Sequence, residues 1–77
     1  MKMEYSVISF FHKSCRKEFC DLIDNGYNFL FNSSINGVNY IKLRHQCNGR
    51  TLFIVEDYTK WLIREKGKTL KEVKLAL

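Results

Sequence analysis

No CxxC pair, no glycine-rich phosphate loop and no long apolar run occurs in this 77-residue sequence. The three cysteines, Cys15, Cys20 and Cys47, are odd in number, which argues against a disulfide framework. A zinc site would have to draw on His12, Cys15, Cys20, His45 and Cys47. Cys15 and Cys20 fall about 140° apart around a helix and do not share a ligand-bearing face. Partly buried free thiols are expected, with no metal and no cofactor. The longest uncharged stretch, 25–41, holds five Asn, two Gly and two Ser, which no bilayer interior accepts. The early run YSVISFF has no small-residue cleavage site behind it, so a secretory signal is not expected. Together these absences point to a soluble, cytoplasmic protein with no membrane partner. Catalysis is not expected either. His12 near Cys15 and His45 near Cys47 supply a thiol and a base, but no third group to orient them.

A chain of this length makes one domain. It buries only about 60% of its unfolded surface, which leaves little room for a deep pocket beside a core. Apolar residues make up 45% of it, and six Phe, four Tyr and one Trp fill one small core. The size favours a binding module.

The net charge of +5 is unevenly spread. Residues 1–39 sum to zero. Residues 40–55 carry Lys42, Arg44 and Arg50 with no acid. From Thr59 on, Lys60, Arg64, Lys66, Lys68, Lys71 and Lys74 oppose only Glu65 and Glu72. Clustered bases with a pI near 9.3 are the electrostatic footprint of a nucleic-acid binder, or of a generically basic small protein.

Periodicity predicts a short helix over 6–12, with Ser6 as N-cap, and a second over 14–25 with Ser14 as N-cap. Cys15, Phe19, Leu22 and Ile23 share one face of the second helix, and Gly26 stops it. Its charges run backwards, with Lys13, Arg16 and Lys17 at the start and Asp21 and Asp24 near the end. The macrodipole prefers the opposite order, so these bases and the free N–H groups beside them are expected to await an anionic partner.

Asn36-Gly37 and Asn48-Gly49 are type I′ hairpin signals. They divide the middle into strands at 29–34, 38–46 and 50–55, a three-stranded antiparallel meander. A two-residue loop at Asn48-Gly49 sets Arg44 opposite Phe53 and Leu43 opposite Ile54. One face then collects Ile41, Leu43, Leu52 and Ile54 with His45 at its rim. The other collects Lys42, Arg44, Gln46 and Thr51 among Tyr40, Phe53 and Val55. A third helix is expected over 56–66, with Tyr58, Trp61 and Leu62 inward and Gly67 as its stop. Thr69-Leu70-Lys71-Glu72 fits a capping box opening a further amphipathic segment.

SCRKEFCDLIDNG (14–26) resembles the recognition-helix stretch of excisionase-type and MerR-like winged-helix domains. YIKLRHQCNGRTLFIVEDYTKWL (40–62) is similar to their wing and following helix, through Gly49, Arg50, Leu52, Phe53, Glu56, Asp57, Trp61 and Leu62. The likeness covers slightly under half of the chain. The chain departs from the pattern in its short first helix, in extra residues between Gly26 and Tyr40, and in the acids Glu18, Asp21 and Asp24 on the recognition helix.

The resemblance implies an α+β, winged-helix-like DNA-binding domain over 1–67, with two N-terminal helices, a three-stranded antiparallel sheet and C-terminal helices. Residues 68–77 would form a short amphipathic segment for self-association or partner contact. It implies a factor that binds double-stranded DNA, either an excisionase acting beside a site-specific recombinase or a small transcriptional regulator of a mobile element. Arg16 and Lys17 would approach the major groove or its phosphates, Arg44, Gln46, Asn48 and Arg50 would form the wing that reaches the minor groove or backbone, and Lys13 and Lys42 complete the expected DNA-binding set. Arg50, Gln46 and Asn48 also read as ordinary turn residues. Two rival readings fit the same residues. One is a small phage or plasmid protein that modulates a host protein. The other is a sheet that enters the major groove, as in the arm-binding domain of tyrosine recombinases.

Overall fold

The computed structural model describes residues 10–75. Cys15 and Phe19 recur one turn apart, and with the half-buried Leu22 and Ile23 they give α1 (Lys13–Asp24) a single apolar face. That face lies on a five-stranded antiparallel sheet made of β1 (Tyr27–Ile35), β2 (Val38–His45), β3 (Thr51–Glu56), β4 (Lys60–Glu65) and β5 (Lys68–Lys74). Each strand pairs with the next in sequence, a plain meander with β1 and β5 at its edges.

Turn chemistry sets the register. Asn36 (φ 53°) and Gly37 (φ 80°) join Ile35 directly to Val38, and Lys66 (φ 49°) and Gly67 (φ 82°) join Glu65 to Lys68. Positive φ at both central residues is the type I′ geometry that matches strand twist. The β3–β4 turn is built by Asp57, whose Oδ1 accepts the N–H of Thr59 (2.7 Å), the Thr59 hydroxyl (2.7 Å) and the N–H of Lys60 (2.9 Å).

Alternation along the strands then sorts the side chains. Ile41 and Leu43 of β2, Leu52 and Ile54 of β3, and Trp61 and Ile63 of β4 point toward α1 and are buried with Phe10, Cys15, Phe19 and Tyr27. The Trp61 indole N–H reaches out of this core to Ser14 Oγ (3.0 Å). The start of α1 is held by Glu56, a fully buried carboxylate at the end of β3. Its oxygens accept the backbone N–H groups of Phe11 and His12 (both 2.9 Å) and the side-chain amide of Asn39 (3.1 Å). His12 is the N-cap, its Nδ1 accepting the N–H of Ser14.

The winged-helix-like architecture expected from the sequence is therefore not the fold. Of the two N-terminal helices, only the second exists among the described residues. Positions 10–12 form an irregular lead-in, and 6–9 lie outside the described residues. The three-stranded sheet has five strands. The expected helix over 56–66 is a turn and β4, because Asp57 spends its acceptor on a turn and Trp61, Ile63 and Glu65 alternate inward. The expected C-terminal helix is β5, with Glu72 opposite Leu62 on β4 rather than closing a capping box; residues 76–77 lie outside the described residues. The β2–β3 loop spans 46–50, five residues, not two. His45 donates its N–H to the Arg50 carbonyl (2.8 Å) and accepts the N–H of Gly49 (3.0 Å). Arg44 consequently faces Thr51, and Phe53 faces Lys42.

The two edges differ. Not one charged residue occurs along β1, YNFLFNSSI, whereas β5, KTLKEVK, carries three lysines and a glutamate.

Candidate functional site

The sheet face turned away from α1 has no layer over it among the described residues. Along one register line it presents Phe31 of β1, Lys42 of β2, Phe53 of β3 and Arg64 of β4, each directly opposite the next. A bulge at Leu30 creates this row. Tyr27 and Phe29 face the core, and the slip between Phe29 and Phe31 turns Phe31 to the open side. The Lys42 ammonium stands 5.9 Å from the Phe31 ring centroid and 5.5 Å from that of Phe53, a cation held between two π faces. Phe31 remains 46% exposed. Tyr40, also exposed, stands on the same face one register position away.

The two sides of the sheet differ in how their bases are partnered. On the α1 side Arg50 grips Glu65 through Nε and Nη2 (2.7 and 2.9 Å), Lys71 pairs with Glu18 (2.9 Å), and Lys17 pairs with Asp21 (3.4 Å), while Lys13 and Arg16 have no carboxylate partner among the described residues. The Arg50 guanidinium holds the Glu65 carboxyl below its usual range. The open face carries Lys42, Arg44, Lys60, Arg64 and Lys74 against Glu72 alone. Glu72 lies 3.9 Å from Lys60. Among the described residues no carboxylate pairs with Lys42, Arg44, Arg64 or Lys74.

Two depressions mark this face. One, of about 470 Å³, lies at the β2–β3 end and is lined by Asn28, Leu30, Arg44, His45, Gln46, Cys47, Asn48 and Gly49. The other, of about 320 Å³, lies between Phe53, Val55, Arg64 and Gly67.

The residues expected to bind DNA are thus divided. Lys42, Arg44, Gln46 and Asn48 come together on the open face or at its β2–β3 rim. Asn48 also spends its Oδ1 on the N–H of Arg50 (2.8 Å) as a turn residue. Arg50 is turned to the other side, to Glu65. Lys13, Arg16 and Lys17 are exposed on α1, with the sheet between them and the open face. The start of α1 is not vacant for an outside anion either, since Glu56 sits beside it and accepts from Phe11, His12 and the Cys15 thiol. The β2–β3 turn is not a free finger. Gln46 donates its N–H to the Gly26 carbonyl (3.0 Å), and His45 Nε2 lies 3.1 Å from the Asn25 carbonyl. Sequence reasoning missed Asn28, Phe31 and Arg64. Alternation extended through both I′ turns would have found Arg64, but the bulge that exposes Phe31 leaves no mark in the pattern.

Burial pushes the Cys15 thiol above its ordinary range, and Glu56 and Glu18 push the same way, so it is a packing group with little thiolate. Among the described residues no cluster of His, Cys, Asp and Glu is arranged to hold a metal ion. No helix among them is long and apolar enough to cross a membrane. Comparison with family models, with curated proteins and with solved structures returns no match.

Proposed function

We propose that this protein is a non-catalytic nucleic-acid-binding module that uses its open sheet face. One observation carries this reading. The fold gathers Lys42, Arg44, Arg64 and Lys74, none with a carboxylate partner among the described residues, around Phe31, Tyr40 and Phe53 on the sheet side that no described residue covers. Lysine and arginine neutralise phosphates and release counterions, and the amides of Asn28, Gln46 and Asn48 suit base edges or sugar. The role expected from the sequence, an accessory factor beside a site-specific recombinase or at a promoter of a mobile element, would then run through strands rather than a recognition helix. Such a protein works in the cytoplasm, where Cys15, Cys20 and Cys47 stay reduced.

The test is fluorescence anisotropy with labelled DNA across a salt series. Affinity is expected to fall steeply with salt, and the double charge reversal Lys42→Glu/Arg44→Glu to abolish binding. Reversal of Arg16 and Lys17 on α1 is expected to leave binding nearly intact. Affinity that ignores salt, or that is lost only with the α1 bases, removes this reading.

A second reading is favoured by the uncharged β1 edge, whose outer backbone groups no described strand pairs and which could take a partner polypeptide. Such a contact would be nearly insensitive to salt.

A further inference from the structure

We infer that the ligand of the open face is single-stranded nucleic acid, laid across the strands along the row Phe31–Lys42–Phe53–Arg64. This rests on the reading of that face as a nucleic-acid surface and names the form it takes.

The row alternates ring, cation, ring, cation over four hydrogen-bonded strands. A single strand alternates too, between bases with free π faces and phosphates with full charge. Neighbouring strands are about 4.8 Å apart, so the two rings stand roughly 10 Å from each other with the Lys42 ammonium between them. Bases stacking on Phe31 and Phe53 would place an intervening phosphate over Lys42. The depression bounded by Phe53, Val55, Arg64 and Gly67 gives the second base a floor and a cation beside it. Stacking of this kind is tolerant of sequence, because every base has a π face.

A duplex fits poorly. Five strands at that spacing span about 19 Å, wider than the major groove of about 12 Å. The basic β2–β3 hairpin, the one expected to reach into a groove, has its turn bonded to Gly26 and Asn25 at the end of α1. A duplex lying on the face by its phosphates alone would leave the rings without partners, since its bases are already stacked on each other.

The experiment compares fluorescein-labelled dT12, dA12 and a 12-base-pair duplex by anisotropy over a salt series, with far-UV circular dichroism on every variant. The expected result is both single strands binding at least about tenfold tighter than the duplex. Phe31→Ala and Phe53→Leu should each weaken single-strand binding, the former by about tenfold, without changing the salt slope. Lys42→Ala should lower that slope by about 0.7, the value for one phosphate contact on a single strand. Phe31 is exposed enough that its alanine variant keeps the fold, whatever happens at Phe53. A duplex bound as tightly as dT12, or Phe31→Ala binding dT12 like the parent, overturns the single-strand assignment and leaves the nucleic-acid reading standing. Absence of salt-dependent binding to all three probes overturns both.

Discussion

Glu56, itself fully buried, receives the backbone N–H of Phe11 from 45 residues earlier in the chain, at 2.9 Å. This contact explains the reversed charge order of α1. The helix has no acid in its first turn, and β3 brings one to it across the core. A buried donor left without its acceptor costs about 1–3 kcal/mol. Glu56→Ala removes the acceptor that two backbone groups and the Asn39 side chain share, so it is expected to destabilise by about 3 kcal/mol. Glu56→Gln keeps one acceptor and should cost less. Urea titration of both variants checks the order, and equal losses would mean that packing, not acceptance, is what Glu56 supplies.

Trp61 is 2% exposed and ties β4 to α1 through Ser14. Trp61→Ala should cost about 3–5 kcal/mol. That is much of the roughly 4–12 kcal/mol expected for a chain this long, so the variant should be largely unfolded by near-UV circular dichroism. Trp61→Phe keeps the ring and loses the hydrogen bond, for about 1 kcal/mol. A folded alanine variant with an unchanged melting curve would contradict the buried position.

Gly26 and Gly67 separate backbone strain from contact. Both have left-handed φ (100° and 82°). A Cβ on Gly26 would meet His45 Nε2 at 2.9 Å, while one on Gly67 would meet nothing within 4 Å. Alanine should destabilise at both sites, and more at Gly26, where the imidazole must move and give up the Asn25 carbonyl. Thermal melts of the two variants decide it, with equal shifts counting against the His45 contact.

Acid should weaken the fold through Asp57 and Glu65. Hydrogen bonds from Thr59 hold Asp57 below its usual range, and Arg50 does the same for Glu65. A carboxyl depressed in the folded state stabilises fully above its unfolded pKa, and the effect is lost as pH falls through the folded value. The melting temperature should therefore hold steady at neutral pH and drop from about pH 4 downward. Asp57→Asn and Glu65→Gln should each flatten that drop, and a slope unchanged in both variants would contradict the assignment.

The faces of the central hairpin were legible in the sequence while its register was not. Pairing Arg44 with Phe53 instead of Thr51 is an error of two residues, and a slip of two leaves every side chain on its own face. Ile41, Leu43, Leu52 and Ile54 were thus correctly placed inward. The face of α1 was equally clear, because Cys15, Phe19, Leu22 and Ile23 fit no other period. The second half was misread for chemical reasons. Asp57 accepts the same kind of backbone N–H groups in a turn as it would in a helix cap, and Gly67 suits a helix stop as well as a type I′ turn. Glu56 looked like a helix-opening acid because the backbone groups it accepts from, those of Phe11 and His12, are more than forty residues away, beyond any local pattern. At the candidate site, Lys42 and Arg44 were found from alternation, but the bulge that brings Phe31 beside Lys42 has no local signature.

The unlike borders of the sheet limit how copies of this chain could join. Two molecules meeting along β1 would use up the uncharged border on each, and what they then show the outside is β5 twice, where Lys68, Lys71 and Lys74 discourage a third. Growth by strand addition would end at a closed pair instead of running on into a fibril.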